Sequence, residues 1–282
     1  MPQDGYNQIF MVETIHPGAS APFARVAVFD FDGTVSLIRA GWGEIMMTMM
    51  LEVLGGLGTG ESPEDLRRAV EPFIWRLTGK DTLYQMIALA EQVALRGGTP
   101  LDSRDYKQQF LDRLFAVSGA RIQQLRDRSC APDQYLVPGT RALLEDLRAR
   151  DLRLYLASGT DDDHLKEEAG LLDIARYFDG GVYGALPDPD AFSKRILMER
   201  IQRLPGMRPG DLFGFGDGPV EIEELKRAGG VAVGLATDEP ECRETSPWKR
   251  RNLIDVGADY IIPNYLCRPV LLPMLFANHE PI

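Results

Sequence analysis

Asp30 and Asp32 stand two residues apart at the end of a short apolar run, Val26-Ala27-Val28-Phe29, and Gly33 and Thr34 follow at once. An apolar run of this length reads as a strand buried on both faces, as in a parallel sheet. Its polar end then falls at the strand's carboxyl end, where open α/β sheets place their ligands. Two carboxylates at that spacing, with Gly33 letting the chain turn, make an anionic cup. Such a cup suits a hard divalent cation such as Mg²⁺, which prefers oxygen ligands. An aspartate there can also attack phosphorus and carry an aspartyl-phosphate. Taken alone, the same residues also fit a strand that ends in an acidic turn, because Asp-Gly marks turns widely.

Other strands end in the same way. Leu152 to Ala157 reads as a strand that stops at Ser158-Gly159-Thr160, and Leu212 to Gly216 as one that stops at Asp217-Gly218-Pro219. Lys194 falls in the first turns of a helix expected over about 190–204. Parallel strands bring their carboxyl ends to one edge of a sheet, so these residues can converge although they are far apart in the chain. Two acids, a hydroxyl, a lysine and a further acid match phosphoryl transfer through an aspartyl intermediate. A cation and the lysine neutralise phosphate oxygens there, and positioning does most of the catalysis.

The elements that must position these residues alternate. Strands are expected at Val26–Phe29, 152–157, 178–184, 212–216, 231–235 and 260–262, with helices between them. That alternation predicts a parallel α/β sheet with right-handed crossovers. The stretch between Ala40 and Cys130 departs from it, with helical periodicity and no strand, and reads as an all-helical module inserted after the first strand. Its methionine cluster, Met46 to Met50, reads as core filler.

Composition sets outer limits. The 282 residues are 44% hydrophobic and 26% charged, which suits a globular chain with a substantial core. A formal net charge of −11 argues against nucleic acid or an anionic membrane as the main partner. It also requires a local cation, metal or lysine, wherever phosphate binds. Three widely spaced cysteines suit reduced thiols. No basic start followed by an apolar core opens the chain, so no signal peptide is expected and the reading is cytoplasmic. Nothing in the sequence fixes the oligomeric state.

The order Asp30-Phe31-Asp32-Gly33-Thr34, then Ala157-Ser158-Gly159, then Lys194, then Gly216-Asp217-Gly218-Pro219-Val220-Glu221 resembles the haloacid dehalogenase superfamily. Within it the chain is similar to the phosphatases that look like phosphoglycolate phosphatase and β-phosphoglucomutase. The resemblance implies a three-layer Rossmann-like core over 25–38 and 136–282, a helical cap over 39–135 and an N-terminal arm over 1–24. It implies that Asp30 is the nucleophile and a metal ligand. Asp32 is implied to be the general acid, then the base, with its backbone carbonyl on Mg²⁺. Ser158, Lys194 and Gly33 would hold the phosphoryl group, Gly159 and Gly218 would give backbone access, and Asp217 would complete the protein's share of the metal shell. Glu221 stands where the family often has a second acid. Dehalogenases and phosphonatases of the superfamily lack an acid at the position of Asp32. Keeping it favours an oxygen leaving group, which needs a proton. The implied activity is a Mg²⁺-dependent phosphatase for a small phosphorylated sugar or organic acid. A phosphomutase and a non-catalytic binding protein on the same fold are the rivals.

Some residues admit two readings. Lys80, between Gly79 and Asp81 in a break of the cap, is a candidate substrate contact or a solvated loop lysine. Arg39 and Trp42 touch substrate or pack the hinge. His164 reads as a surface residue, and Asp161-Asp162-Asp163 as a helix N-terminus rather than a metal site. Trp248-Lys249-Arg250-Arg251 reads as a solvated basic helix face.

Overall fold

The computed structural model describes residues 11–186, 188 and 191–278. Residues 1–10 of the expected arm, the expected helix start at Asp190 and the last four residues lie outside the described residues. The chain enters through β1 (Glu13–Thr14) and β2 (Val26–Phe29). Four helices follow, α1 (Trp42–Gly55), α2 (Pro63–Arg76), α3 (Thr82–Leu95) and α4 (Ser103–Arg126). Then come α5 (Thr140–Arg148), β3 (Arg153–Asp161), α6 (Asp162–Leu171), β4 (Gly181–Ala185), α7 (Lys194–Gln202) and β5 (Leu212–Gly216). The chain closes with α8 (Pro219–Arg227), β6 (Val231–Leu235), α9 (Pro247–Asp255), β7 (Tyr260–Ile262) and α10 (Arg268–Leu275).

The seven strands form one sheet in the order β1-β7-β6-β5-β2-β3-β4. All neighbours are parallel except β1, which runs antiparallel to β7 with Glu13 opposite Ile261. Part of the expected arm is therefore an edge strand. The fold is the α/β class that the alternation predicts. Strand β2 lies at the centre, in register with β3 through Val28 opposite Tyr155 and with β5 through Phe29 opposite Phe215. From β2 the chain runs outward to β3 and β4, then crosses back to β5 on the other side. The carboxyl end of β2 is thus a topological switch point, where such sheets bind ligands.

Alternation along β2 divides the core into two layers. Ala27 and Phe29 pack with Leu143, Leu144, Leu165 and Leu271 on one face. Val26 and Val28 pack with Leu197, Ile201, Leu225 and Leu253 on the other. Every side chain of β2 is buried, so a polar substitution on either face would leave an unsatisfied group in the core.

The helices α1 to α4 carry their own hydrophobic cluster. Met46, Met49 and Met50 pack there with Phe73, Ile74, Leu89 and Phe110. Their starts follow the local chemistry. Ser62 and Asp65 form a reciprocal capping box, and the carboxylates of Asp81 and Asp102 accept from Leu83 N and Arg104 N. Among the described residues, no helix is long and apolar enough to cross a membrane.

Candidate active site

Three strand ends, three helix starts and the loop after β6 build the site. The β2 strand continues into Asp30, whose N–H donates to the Phe215 carbonyl at 3.0 Å. The chain then turns sharply, because the Phe31 carbonyl accepts from the N–H groups of Val35 and Ser36, each at 2.8 Å. Gly33 sits in this turn at φ +72°, and a Cβ there would lie 2.2 Å from Asp217 Oδ2 and 2.8 Å from Glu239 Oε1. Glycine is required on both counts. The Thr34 hydroxyl donates back to Asp30 Oδ2 at 3.3 Å.

Lys194 opens α7 behind the Ser193 cap, whose Oγ accepts from Ile196 N at 3.3 Å. It shares a buried stripe with Leu197, Met198 and Ile201, three, four and seven residues on. Its ammonium therefore points into the core and donates to Asp30 Oδ1 at 2.6 Å and to Glu221 Oε1. Glu221 is in the first turn of α8, one turn after Asp217 at the end of β5. The structure brings Asp30, Lys194, Asp217 and Glu221 together as the sequence order implied. Burial, followed by the nearby Asp217 and Asp32 charges, pushes the Asp30 carboxyl up to about 6, against the opposing pull of Lys194.

Strand β3 runs further than the sequence suggested, to Asp161. Its pairing with β4 slips between Ala157, opposite Tyr183, and Asp161, opposite Ala185. The slip bulges Ser158, Gly159 and Thr160 out of the ladder toward β2. Ser158 Oγ accepts from Thr160 N at 3.0 Å and donates to Asp32 Oδ2 at 3.4 Å. The Thr160 hydroxyl donates to the same oxygen at 2.6 Å. The Asp32 side chain is thus engaged by β3.

The break between α2 and α3 seats on this edge. A Cβ on Gly79 would lie 2.0 Å from Glu221 Oε1, and one on Gly159 would lie 2.3 Å from the Lys80 carbonyl oxygen. Lys80 lines the cleft, with its ammonium over the Tyr84 ring at 5.8 Å. Lys107 on α4 bridges Asp81 at 3.1 Å and Asp161 at 2.8 Å, which ties α3 and α4 to the end of β3. A cavity of about 80 Å³ remains, walled by Asp30, Asp32, Asp217, Arg39, Trp42 and Phe110. His164 also lines it and packs on Phe115 at 5.0 Å, so it is half-buried rather than a surface residue.

The basic run 248–251 is a correction. Lys249 is buried, not solvated, because Ser246 and Pro247 start α9 so that Lys249 and Leu253, four residues apart, share its inward stripe. Lys249 Nζ donates to Asp217 Oδ2 at 2.8 Å and to Glu239 Oε1 at 2.5 Å. Burial alone would lower this amine, but the charges of Asp217 and Glu239 outweigh it and hold the ammonium well above its ordinary range. Burial pushes the Glu239 carboxyl up, and Asp217 adds to that. Sequence reading missed both residues. The i, i+4 relation of Lys249 to Leu253 was the available signal. Glu239 had none, since its place depends on the path of the loop after β6.

Five carboxylates, Asp30, Asp32, Asp217, Glu221 and Glu239, stand against two buried ammoniums and the Arg39 guanidinium. The excess is negative, and the bare Gly33 backbone lets the Asp217 and Glu239 carboxylates approach closely. Among the described residues no three His, Cys, Asp or Glu side chains form a ready-made metal cluster. Mg²⁺ needs none, because it is commonly held by one or two carboxylates with water and substrate phosphate. Asp30, Asp217 and the Asp32 carbonyl fit that donor set.

The chain belongs to the haloacid dehalogenase-like hydrolases, whose family model matches residues 24–229. It is 27% identical over 171 residues to the phosphoglycolate phosphatase of Synechococcus elongatus, covering 55% of this chain and 77% of that one. Among solved structures, a family hydrolase from Deinococcus radiodurans with bound phosphate and sodium superposes with a TM-score of 0.53 at 17% identity, covering 93% of this chain and all of that one. A β-phosphoglucomutase from Clostridium difficile gives 0.50 at 12% identity, covering 82% and 98%. At these identities the two structures attest the fold.

Proposed function

We propose that this protein is a Mg²⁺-dependent phosphatase that hydrolyses a small phosphate monoester by way of an aspartyl-phosphate on Asp30. The observation that carries the reading is the buried contact of Lys194 with Asp30 Oδ1 at 2.6 Å, at the switch point of the sheet. A lysine there neutralises the incoming phosphoryl oxygens beside the attacking carboxylate. Ser158, and the backbone at Gly33 and Gly159, complete the phosphoryl cradle. Asp32 gives a proton to the departing alcohol and then takes one from the attacking water. Asp30, Asp217 and the Asp32 carbonyl would hold Mg²⁺, which supplies charge neutralisation at the transferring group. The cap, over 39–135 in this reading, excludes bulk water while closed. A cavity of about 80 Å³ has room for several waters, hence for a small alcohol such as that of an organic-acid or short sugar phosphate. Lys80, Lys107 and Arg39 give its wall a positive side.

The reading is tested by Asp30→Asn assayed for phosphate release across a panel of sugar, organic-acid and nucleotide phosphates. The variant should fold and retain no turnover, because an amide is a poor nucleophile. Near-wild-type release would overturn the mechanism. Turnover of a sugar phosphate by the unaltered protein without phosphate release would identify a phosphomutase instead.

A further inference from the structure

Beside Asp32 lies a buried polar chain that the proposed chemistry does not yet use. Arg39 is 6% exposed, an arginine almost wholly inside the protein. Its Nη1 donates to Thr160 Oγ1 at 2.6 Å, and its Nη2 donates to Glu168 Oε1 on α6 at 2.6 Å. The Thr160 hydroxyl in turn donates to Asp32 Oδ2 at 2.6 Å. With Asp32 ionised, the direction of this chain is fixed. Arginine is only a donor, so Thr160 oxygen accepts from it, and the single hydroxyl proton is left for Asp32. On the other oxygen of Asp32, Oδ1 lies 3.9 Å from Arg39 Nε. Both atoms are buried and without a hydrogen-bond partner. A closing movement of less than about 1 Å would join them.

We infer that Arg39 and Thr160 are positioning residues for Asp32, and that Arg39 ties the orientation of Asp32 to the cap. Thr160 holds Oδ2 by a hydrogen bond and the Arg39 charge faces Oδ1, so the plane of the carboxyl is held, not only its place. The low dielectric around these side chains makes each bond count for more than it would at the surface. The bulge in β3 is what lifts Thr160 into line.

The link to the cap is equally direct. Arg39 lies in the segment by which the chain leaves the core for α1. Arg121 on α4 donates to the carbonyls on both sides of it, Leu37 at 3.3 Å, Ile38 at 2.9 Å and Ala40 at 3.1 Å. Phe115, also on α4, lies under the Arg39 guanidinium at 5.9 Å. The longest cap helix therefore grips the backbone and the side chain of the residue that orients Asp32. With the cap seated, the proton donor is aligned; a shift of α4 moves Arg39 and releases it.

The inference rests on Asp32 acting as the general acid, and the experiment separates the two. The unaltered protein, Asp32→Asn, Thr160→Val and Thr160→Ser are compared on aryl phosphates with acidic and non-acidic leaving phenols, reading the phenol burst by rapid mixing. Thr160→Val keeps shape and loses the hydroxyl. It should slow the burst about 10- to 100-fold for the non-acidic phenol, the scale of one hydrogen bond to a charged group. For the acidic phenol, which departs unaided, it should slow it less than about threefold. Thr160→Ser should restore the burst, and Thr160→Val should add nothing in the Asp32→Asn background. Arg121→Met should show the same leaving-group signature at smaller size. If Asp32→Asn slows both phenols equally, the general-acid reading fails. If Asp32→Asn discriminates between the phenols and Thr160→Val does not, the positioning role fails alone. An Arg121→Met variant indifferent to the leaving group overturns the link to the cap.

Discussion

Two lysines enter the site from the same helical layer, each in the first turn of its helix and each joining two carboxylates. Lys194 joins Asp30 and Glu221; Lys249 joins Asp217 and Glu239. Both side chains are at most 10% exposed. What separates them is the strand each one serves. Lys194 reaches the end of β2, where the proposed nucleophile stands, so its charge lies where a phosphoryl group would bind. Lys249 reaches the end of β5, one strand over, and touches no acid of β2. Its charge balances the carboxylates of the proposed cation site. One arrangement, used twice, gives two different electrostatic tasks.

The sharpest way to break this comparison is to remove each charge in turn. Lys194→Met should cost about 10²–10³ in kcat/KM, the scale of losing one donor to a developing anion. Lys249→Met, assayed with Mg²⁺ saturating, should cost less than about threefold. Equal losses would mean that both lysines serve the phosphoryl group, and the division of labour would be gone.

The same comparison shows what the sequence could reveal. Lys194 was legible because it falls in order between two strand-end motifs, and each motif marks its own strand by an abrupt change from apolar to acidic. The sheet was legible for the same reason, with β5, β6 and β7 read at their observed ends. Lys249 was hidden in Trp248-Lys249-Arg250-Arg251, where charge density suggested solvent. Only the inward stripe it shares with Leu253 distinguishes it. Glu239 and Thr160 were less legible still. Glu239 depends on the path of a loop, and Thr160 on a bulge that exists only once β3 and β4 have paired. Arg39 was read as touching substrate or packing the hinge, but its partner Glu168 lies 129 residues away and no local pattern connects them.

Arg39 extends the comparison to a third buried cation between two acids, Asp32 and Glu168. Here the balance is worse. Burial first, then the Asp32 charge, pushes the Glu168 carboxyl from its ordinary 4.5 to about 7, although Arg39 pulls the other way and Glu167 adds a little. Between those two values the unfolded chain has lost this proton and the folded chain keeps it. Folding then takes up a proton, and stability falls as pH rises through the window. The metal-free protein should lose on the order of 2–3 kcal/mol from this group between pH 4.5 and pH 8. Asp30 and Glu239, raised by burial as well, lean the same way. Urea unfolding across that range should show the decline, and Glu168→Gln should flatten it by the share of Glu168. An unchanged slope in the variant would show that Arg39 fully compensates the Glu168 charge.

The finest test concerns Lys249 and its partner Glu239, which should act on cation binding with opposite sign. Lys249 holds its positive charge 2.8 Å from Asp217, a proposed metal ligand, so it repels any cation that Asp217 attracts. Glu239 does the opposite from the far side of the same ammonium. Lys249→Met should therefore tighten Mg²⁺ binding, and Glu239→Gln should weaken it. Each change should be about tenfold, since partial screening leaves only a fraction of the bare Coulomb term. Titration calorimetry on the substrate-free protein reads both directly. A role confined to packing predicts a different outcome, because losing either partner would loosen Asp217 and weaken binding in both variants. Lys249→Met should also lower the melting temperature of the metal-free protein, since two buried carboxylates lose their counter-ion. Saturating Mg²⁺ should restore much of that loss, because a ligand bound only to the folded state stabilises it. Weaker binding in both variants would reduce Lys249 to a structural strut, and the two lysines would then differ in more than the strand they serve.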